Sequence, residues 1–245
     1  MVSRIVTGVT QIIFPYFMYH YYIHGNLNSE FHEYANGADY MTYVVLGSAL
    51  NVLAVSTLMN IGRALITELR EGTLETLLMT PMPRYAYFCG CLLEQTARAL
   101  LEFGAVTAVG ALVGADLGYL FSVRAAAVIL LAVFSFFCMG IALSSLMLYT
   151  RDTYLTQNTL FITMNLVCGI MYPIQYLPAG LQYAAQIFPL TPAVSLFRNV
   201  MIENQSLSGN QLLIWQIVLL SGVYLLIGTV WYKKMELKLV ESIFG

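Results

Sequence analysis

Six stretches of this chain are apolar over about the length that a helix needs to cross a lipid bilayer. A hydrocarbon core of about 30 Å requires roughly 20 mostly apolar residues per helical span. The stretches are Ile5–Ile23, Met41–Ile61, Arg98–Ala115 (reaching back to Tyr87 if the polar residues before it are included), Ala125–Leu148, Asn158–Pro173, which is short, and Leu213–Trp231. They predict an all-α membrane protein with six transmembrane helices in a single domain, residues 1–245. A cleaved signal peptide is the weaker alternative for the first stretch, because no small-residue cleavage site follows it.

Composition excludes the common soluble classes. The chain is 59% hydrophobic and only 10% charged, with a mean hydropathy of +0.73, whereas a soluble domain is about 25% charged. Its 11 Lys and Arg residues and 13 Asp and Glu residues are too few to cover the surface of a soluble protein. No basic face is present, so a nucleic-acid partner is not expected.

The charges between the apolar stretches predict the orientation in the membrane. Alternate loops carry eight cations: Arg4, Arg63, Arg70, Arg84, Arg151, Lys233, Lys234 and Lys238. The opposite loops carry only Arg124 and Arg198. Because cationic loops stay in the cytoplasm, we expect a multi-pass plasma-membrane protein with both termini cytoplasmic.

The sequence contains no recognisable catalytic set. It lacks the phosphate-binding loop G-x-x-x-x-G-K-[ST], the zinc motif H-E-x-x-H and the nucleophile motif G-x-S-x-G. His20 and His24 have the i,i+4 spacing of metal ligands but no third ligand on that helix, so polar anchoring at the interface is favoured over a metal site. Cys89, Cys91, Cys138 and Cys168 lie in apolar stretches and are expected to be buried. We therefore expect no catalysis, metal or cofactor in this chain itself.

The polar segment between the second and third stretches is the most charged part of the chain. Its acidic residues Glu68, Glu71 and Glu75 alternate with Arg63 and Arg70 and lie opposite a leucine face, which predicts an amphipathic cytoplasmic helix. Thr80-Pro81-Met82-Pro83 would end that helix. The pattern fits either a loop lying on the membrane surface or a rigid element that transmits force from a cytoplasmic partner.

Three ionisable residues fall on one face of the third stretch. Glu94, Arg98 and Glu102 are spaced i,i+4,i+8, so opposite charges are neighbours on a helix. They could form a neutralised ladder at the inner interface, or a polar lining at the inner mouth of a transport pathway. Gly110 and the two glycines that follow it at intervals of four, 114 and 118, predict close helix packing.

An outer segment, Leu177–Met201, is apolar but too short to span. Its helical spacing resumes after Pro178 and again after Pro192, which predicts two short outer helices that either re-enter the membrane or lie on its outer leaflet. Arg198 is the only cation in this segment, and we expect it to pair with Glu203 or with a lipid phosphate.

Two of these segments resemble the signatures of one transporter family. The first has the residues that follow the second span in type 2 permeases of ATP-binding-cassette transporters: Glu68, Arg70, Glu71, Gly72, Thr73, Glu75, Pro81 and Arg84. The second has the later outer signature: Tyr172, Pro173, Pro178, Pro189, Pro192 and Arg198. They lie about 90 residues apart, in the order that the family's six-span layout requires.

The resemblance implies a non-catalytic permease of the type V exporter architecture. It implies that the first segment includes a coupling helix docking on a separate ATPase subunit, which binds the ATP and Mg. It further implies a second permease copy or paralogue, and a drug-like, lipid, glycoconjugate or peptide cargo. The alternative is a stand-alone secondary transporter or channel, which would need ionisable residues near the middle of the membrane.

Overall fold

The fold is seen in a computed structural model that describes residues 2–22, 29–35, 37–73, 80, 84–150 and 153–244. All regular structure in these ranges is helical. The helices are α1 (Val2–Phe17, continued by a π-helical turn Met18–Tyr22), α2 (Ser29–Tyr34), α3 (Tyr40–Glu71), α4 (Arg84–Leu112), α5 (Val123–Thr150), α6 (Thr153–Val167), α7 (Ala179–Ala185), α8 (Leu190–Ile202) and α9 (Gln211–Phe244). Short 3₁₀ turns at Ile174–Tyr176 and Leu207–Asn210 precede α7 and α9. The all-α prediction is confirmed.

Three of the described helices are long and apolar enough to cross a membrane: Tyr40–Asn60 within α3, Val123–Met147 within α5, and Leu207–Trp231 at the start of α9. These correspond to the second, fourth and sixth predicted spans. The first, third and fifth stretches are also helical, as α1, α4 and α6. Their crossing of the membrane remains a prediction.

Helix α3 lies at the centre of the protein. Its spanning window is buried along its whole length, and α3 packs against α1, α4, α5, α6 and α8. By contrast, only 17% of the corresponding window of α9 is buried, so most of that apolar helix faces outward. A buried α3 and an exposed, apolar α9 are what a bundle surrounded by lipid requires.

The predicted glycine packing motif in the third span is only partly correct. Gly110 lies against α3, where an added Cβ would come within 2.2 Å of Val45. The helix then ends at Leu112, because Gly114 adopts a positive φ of 94° and the N–H of Ala115 donates back to Gly110. This is a common glycine helix end. The glycines at 114 and 118 therefore belong to the outer turn and do not pack helices together.

The two predicted short outer helices are formed by α7 and α8. The hydroxyl of Thr191 in α8 donates to the carbonyl of Ala185 at the end of α7, at 2.6 Å. Instead of beginning after Pro192, as the spacing predicts, α8 begins directly after Pro189, and Pro192 lies inside its first turn. A proline fits there because the first helical N–H groups have no intrahelical acceptor.

Candidate functional site

The charged face of α4 is graded from exposed to buried. Glu94 and Arg98 form an ion pair of 2.5 Å, and both side chains are more than half exposed. Glu102, one turn further along, is only 2% exposed, and its Oε2 has no hydrogen-bond partner in the described part of the chain. The predicted ion pair between Glu94 and Arg98 is therefore formed. Between Arg98 and Glu102 the described residues show no ion pair.

A cluster of three amides lies among the apolar stretches and was missed by the sequence patterns. The side chain of Gln11 in α1 donates to Oδ1 of Asn165 in α6, at 2.8 Å. Asn51 of α3 donates to both, at 3.3 Å to Gln11 and 3.1 Å to Asn165. Asn51 is fully buried, and its Oδ1 has no partner in the described ranges. One hydrogen-bond cluster thus connects three helices.

Replacing Asn51 with leucine is expected to destabilise the protein by about 1 kcal/mol, the usual size of an interhelical hydrogen-bond contribution in membranes. The change removes the donor of Gln11 Oε1 and leaves that buried oxygen unpaired. Thermal unfolding in nanodiscs should show a melting temperature lower by about 3 °C. Gln211→Leu, at an exposed amide that begins α9, is the matched control and should change little. Equal melting temperatures for both variants would contradict a joining role for the cluster.

Arg198 is a buried cation that several carbonyls hold in place. It is 7% exposed; its Nη1 donates to the carbonyl of Gly169 at 2.8 Å, and its Nη2 donates to the carbonyls of Ile170 at 2.7 Å and Tyr43 at 2.9 Å. The predicted pairing with Glu203 is wrong. The guanidinium points into the protein, and no described carboxylate lies within ion-pair distance of it.

The surface that receives the guanidinium is one face of α3. The ring of Tyr43 lies 3.4 Å from Cζ of Arg198, a stacking distance for a cation over an aromatic ring. One turn later, Gly47 leaves the space for the guanidinium, since an added Cβ would lie 2.4 Å from Nη2. Burial lowers the pKa of Arg198 to about 10, so the group stays charged at neutral pH. Arg198 therefore joins α8 and the chain after α6 to the centre of the bundle.

Three residues of the predicted outer signature shape the chain that follows α6. The hydroxyl of Tyr172 donates to the carbonyl of Leu166 at the end of α6. Pro173 is buried and begins the 3₁₀ turn, and the carbonyl of Pro178 accepts the N–H groups that start α7. These residues close the loop whose carbonyls hold Arg198.

The predicted coupling segment begins as the inner end of α3. Glu68, Arg70 and Glu71 belong to α3, which ends there because Gly72 adopts a positive φ of 73°. The hydroxyl of Thr73 donates to the carboxylate and to the carbonyl of Glu68. The predicted amphipathic helix is therefore interrupted at Gly72, where α3 ends. Glu75 and Pro81 lie outside the described residues; Arg84 begins α4.

Two minor sequence predictions have mixed outcomes. Cys138 and Cys168 are buried as predicted, whereas Cys89 is exposed and Cys91 is half-buried. The ring of His20 packs on Tyr16 with centroids 4.5 Å apart, while His24 lies outside the described residues. No group of three potential metal ligands occurs in the described ranges.

The fold and the site define a helical membrane protein with a central buried helix that continues into a charged segment. Comparison with known families shows that residues 2–202 match the ABC-2 type transporter family. The chain belongs to this family, the permease family of ABC transporters, whose members are transmembrane subunits and generally non-catalytic. Membership implies a membrane context and an ATPase partner. A search among curated proteins gave no match.

Proposed function

We propose that this chain is the membrane-spanning permease subunit of an ATP-binding-cassette exporter. A separate ATPase subunit binds ATP and Mg, and drives it from the cytoplasm. The observation that carries the proposal is the family match over residues 2–202, together with the continuity of α3 from the charged segment into the core. The cargo belongs to a drug-like, lipid, glycoconjugate or peptide class.

Six membrane crossings follow if α1, α4 and α6 span alongside the three most apolar helices. Helix α1 and its π-helical turn together cover residues 2–22, about 31 Å at 1.5 Å per residue, close to the thickness of the hydrocarbon core. The cationic loops then face the cytoplasm together with both termini, in the plasma membrane. Helix α6, with 15 residues, is the shortest crossing and needs a locally thin bilayer or cover from a partner.

A second permease copy, identical or paralogous, is supported by the outer face of α6. Asn158 and Thr159 are exposed on this helix beside the exposed Ile162 and Leu166. Exposed amides and hydroxyls are unfavourable against lipid, and they are common where membrane helices pack together. A second copy across this face would enclose a pathway that one copy leaves open.

Helix α3 provides a mechanical route for coupling. It is 32 residues long, about 48 Å, while its apolar window ends at Asn60. Residues 61–71 therefore extend about 16 Å beyond the window. Movement of this end by an ATPase subunit would reach Asn51 and the Arg198 contact through one rigid helix.

The buried Glu102 is the one observation that favours the alternative, a secondary transporter, because buried membrane carboxyls often carry protons or ions.

Under either function, Glu102→Gln is expected to reduce transport more than Glu94→Gln does, by roughly tenfold, as typical coupling energies of 1–3 kcal/mol suggest. Glu94 is the control, since it is half-exposed and paired with Arg98. Efflux from vesicles driven by ATP, compared with efflux driven by an imposed ion gradient, separates the two functions. Equal transport by both variants would make Glu102 a structural residue only.

Movement of the outer helices tests the exporter mechanism without knowledge of the cargo. Cysteines introduced at Gln182 and Gln186 lie one turn apart at α7, where Gln186 is exposed and accepts a hydrogen bond from Gln216. Labelling by an impermeant thiol reagent should change at least about threefold when ATP is trapped in the complex, if the segment moves between states. A background variant lacking the exposed Cys89 and the half-buried Cys91 removes the labelling of accessible native thiols. Unchanged labelling at both positions would contradict an outer gate in this segment.

A further inference from the structure

We infer that the outer side of this protein binds a phosphate group in a cleft beside Arg198. The cleft has a volume of about 200 Å³, and Arg198 lines it together with Tyr34, Tyr43, Gln175, Ser195 and Asn199. Since one water occupies about 30 Å³ of liquid, this volume holds a group of about six waters, which suffices for a phosphate ester. The site lies between α2, α3, α8 and the chain that follows α6.

The positive charge of Arg198 favours binding of an anion in the cleft. Arg198 is a full positive charge, and its three described acceptors are neutral carbonyls. Its Nε is buried and has no hydrogen-bond partner in the described part of the chain. A buried charge without a counter-ion is costly, so an anion that enters the cleft would neutralise the arginine.

The remaining lining favours phosphate over a simple halide. Gln175 lines the same cleft with an exposed side-chain amide, and Asn199, which donates one N–H to Asn210, lines it as well. A phosphate presents several oxygens to such a set, and guanidinium groups match phosphate geometry well. Exposed tyrosines at the rim, Tyr34 stacked edge-on with Tyr176 at 5.6 Å, are typical of the headgroup level of a bilayer. The phosphate could belong to a lipid headgroup or be free in solution. The inference does not depend on the ATPase partner.

The test measures thermal stability of the purified full-length protein in detergent against three additives. These are phosphatidylglycerol, diacylglycerol with the same acyl chains, and inorganic phosphate. Binding to the folded state raises its stability by RT ln(1 + [L]/Kd), so the melting temperature at increasing ligand concentration gives the dissociation constant, which is the half-saturating concentration. We expect phosphatidylglycerol to stabilise and diacylglycerol to have little effect. If inorganic phosphate competes with phosphatidylglycerol and also stabilises the protein in the absence of the lipid, the site takes free phosphate. If inorganic phosphate neither competes nor stabilises, the site takes the lipid headgroup.

Opposite charges at the exposed Gln175 provide the specific readout, because neither change disturbs the contacts of Arg198. Gln175→Lys should lower the half-saturating concentration of phosphatidylglycerol about fivefold. Gln175→Glu should raise this concentration about fivefold, as expected for one charge near the site. Arg124→Gln, at an exposed arginine that bonds Asn204, changes the net charge as much as Gln175→Glu does and should behave like wild type. Equal stabilisation by diacylglycerol, identical behaviour of the two Gln175 variants, or a matching shift in Arg124→Gln would overturn the inference.

Discussion

Replacing Gly47 with alanine is expected to lower the melting temperature by about 10 °C, the shift that roughly 3 kcal/mol gives in a chain of this size. The new Cβ would lie 2.3 Å from the carbonyl oxygen of Ile170 and 2.4 Å from Nη2 of Arg198. Overpacking a core lowers the free energy of unfolding by about 1–3 kcal/mol. Each buried carbonyl that loses its hydrogen-bond donor lowers this free energy by about 1–3 kcal/mol more. The carbonyl is part of the backbone and cannot move aside alone.

The matched control is Gly104→Ala in α4, where nothing lies within 4 Å of the new Cβ. That change should be neutral or stabilise by up to about 1 kcal/mol, because alanine restricts the unfolded chain. If part of the effect at Gly47 acts through the guanidinium, Gly47→Ala should cost less in an Arg198→Leu background than in wild type, although the contact with the carbonyl of Ile170 remains. Equal costs in both backgrounds would show that the arginine is not the reason for the glycine.

Reversing both charges at Glu71 and Glu75 is expected to reduce the ATPase content of the purified complex at least about tenfold, since close interfacial charge pairs couple by about 1.5 kcal/mol or more. Glu71 is exposed at the inner end of α3, just before the turn at Gly72. An exposed acidic side chain is therefore available there to the proposed cytoplasmic partner. The permease itself should insert and fold normally, because no described core contact involves Glu71.

The control for this prediction is the double reversal of Glu30 and Glu33 on the outer helix α2, where both side chains are exposed. It changes the net charge by the same amount on the side of the membrane that the loop charges predict to be the outer one. This variant should retain its full ATPase content. Loss of the ATPase in both variants would indicate a general charge effect, and its retention in the Glu71 and Glu75 variant would contradict the coupling assignment.

The elements that could be predicted from sequence are those with a strong local signal. Long apolar runs gave the spans of α3, α5 and α9, and prolines marked the start of α7 and α8. Helix ends set by glycine were less accurate, because Gly72 and Gly114 resemble ordinary helix residues until their positive φ is known. Here the conformation depends on packing that spacing does not encode.

The site was harder to predict because its contacts join distant parts of the chain. Gln11, Asn51 and Asn165 were visible as amides in apolar stretches, which is itself a signal for interhelical bonding, but nothing local indicates that they meet. The environment of Arg198 depends on carbonyls of residues 169 and 170 and on Gly47, 151 positions before the arginine. A lone arginine in an apolar segment suggested a surface anchor, whereas the tertiary structure encloses it.

The most direct test of an ATPase-driven permease is to purify the tagged protein from membranes of its host and to assay the preparation for ATP hydrolysis. We predict that an ATPase chain co-purifies in a 1:1 ratio and that the preparation hydrolyses ATP. The Glu71 and Glu75 reversal should remove both the ATPase chain and the ATP hydrolysis. A permease that is isolated alone, and whose transport in vesicles follows an ion gradient without ATP, would contradict this prediction.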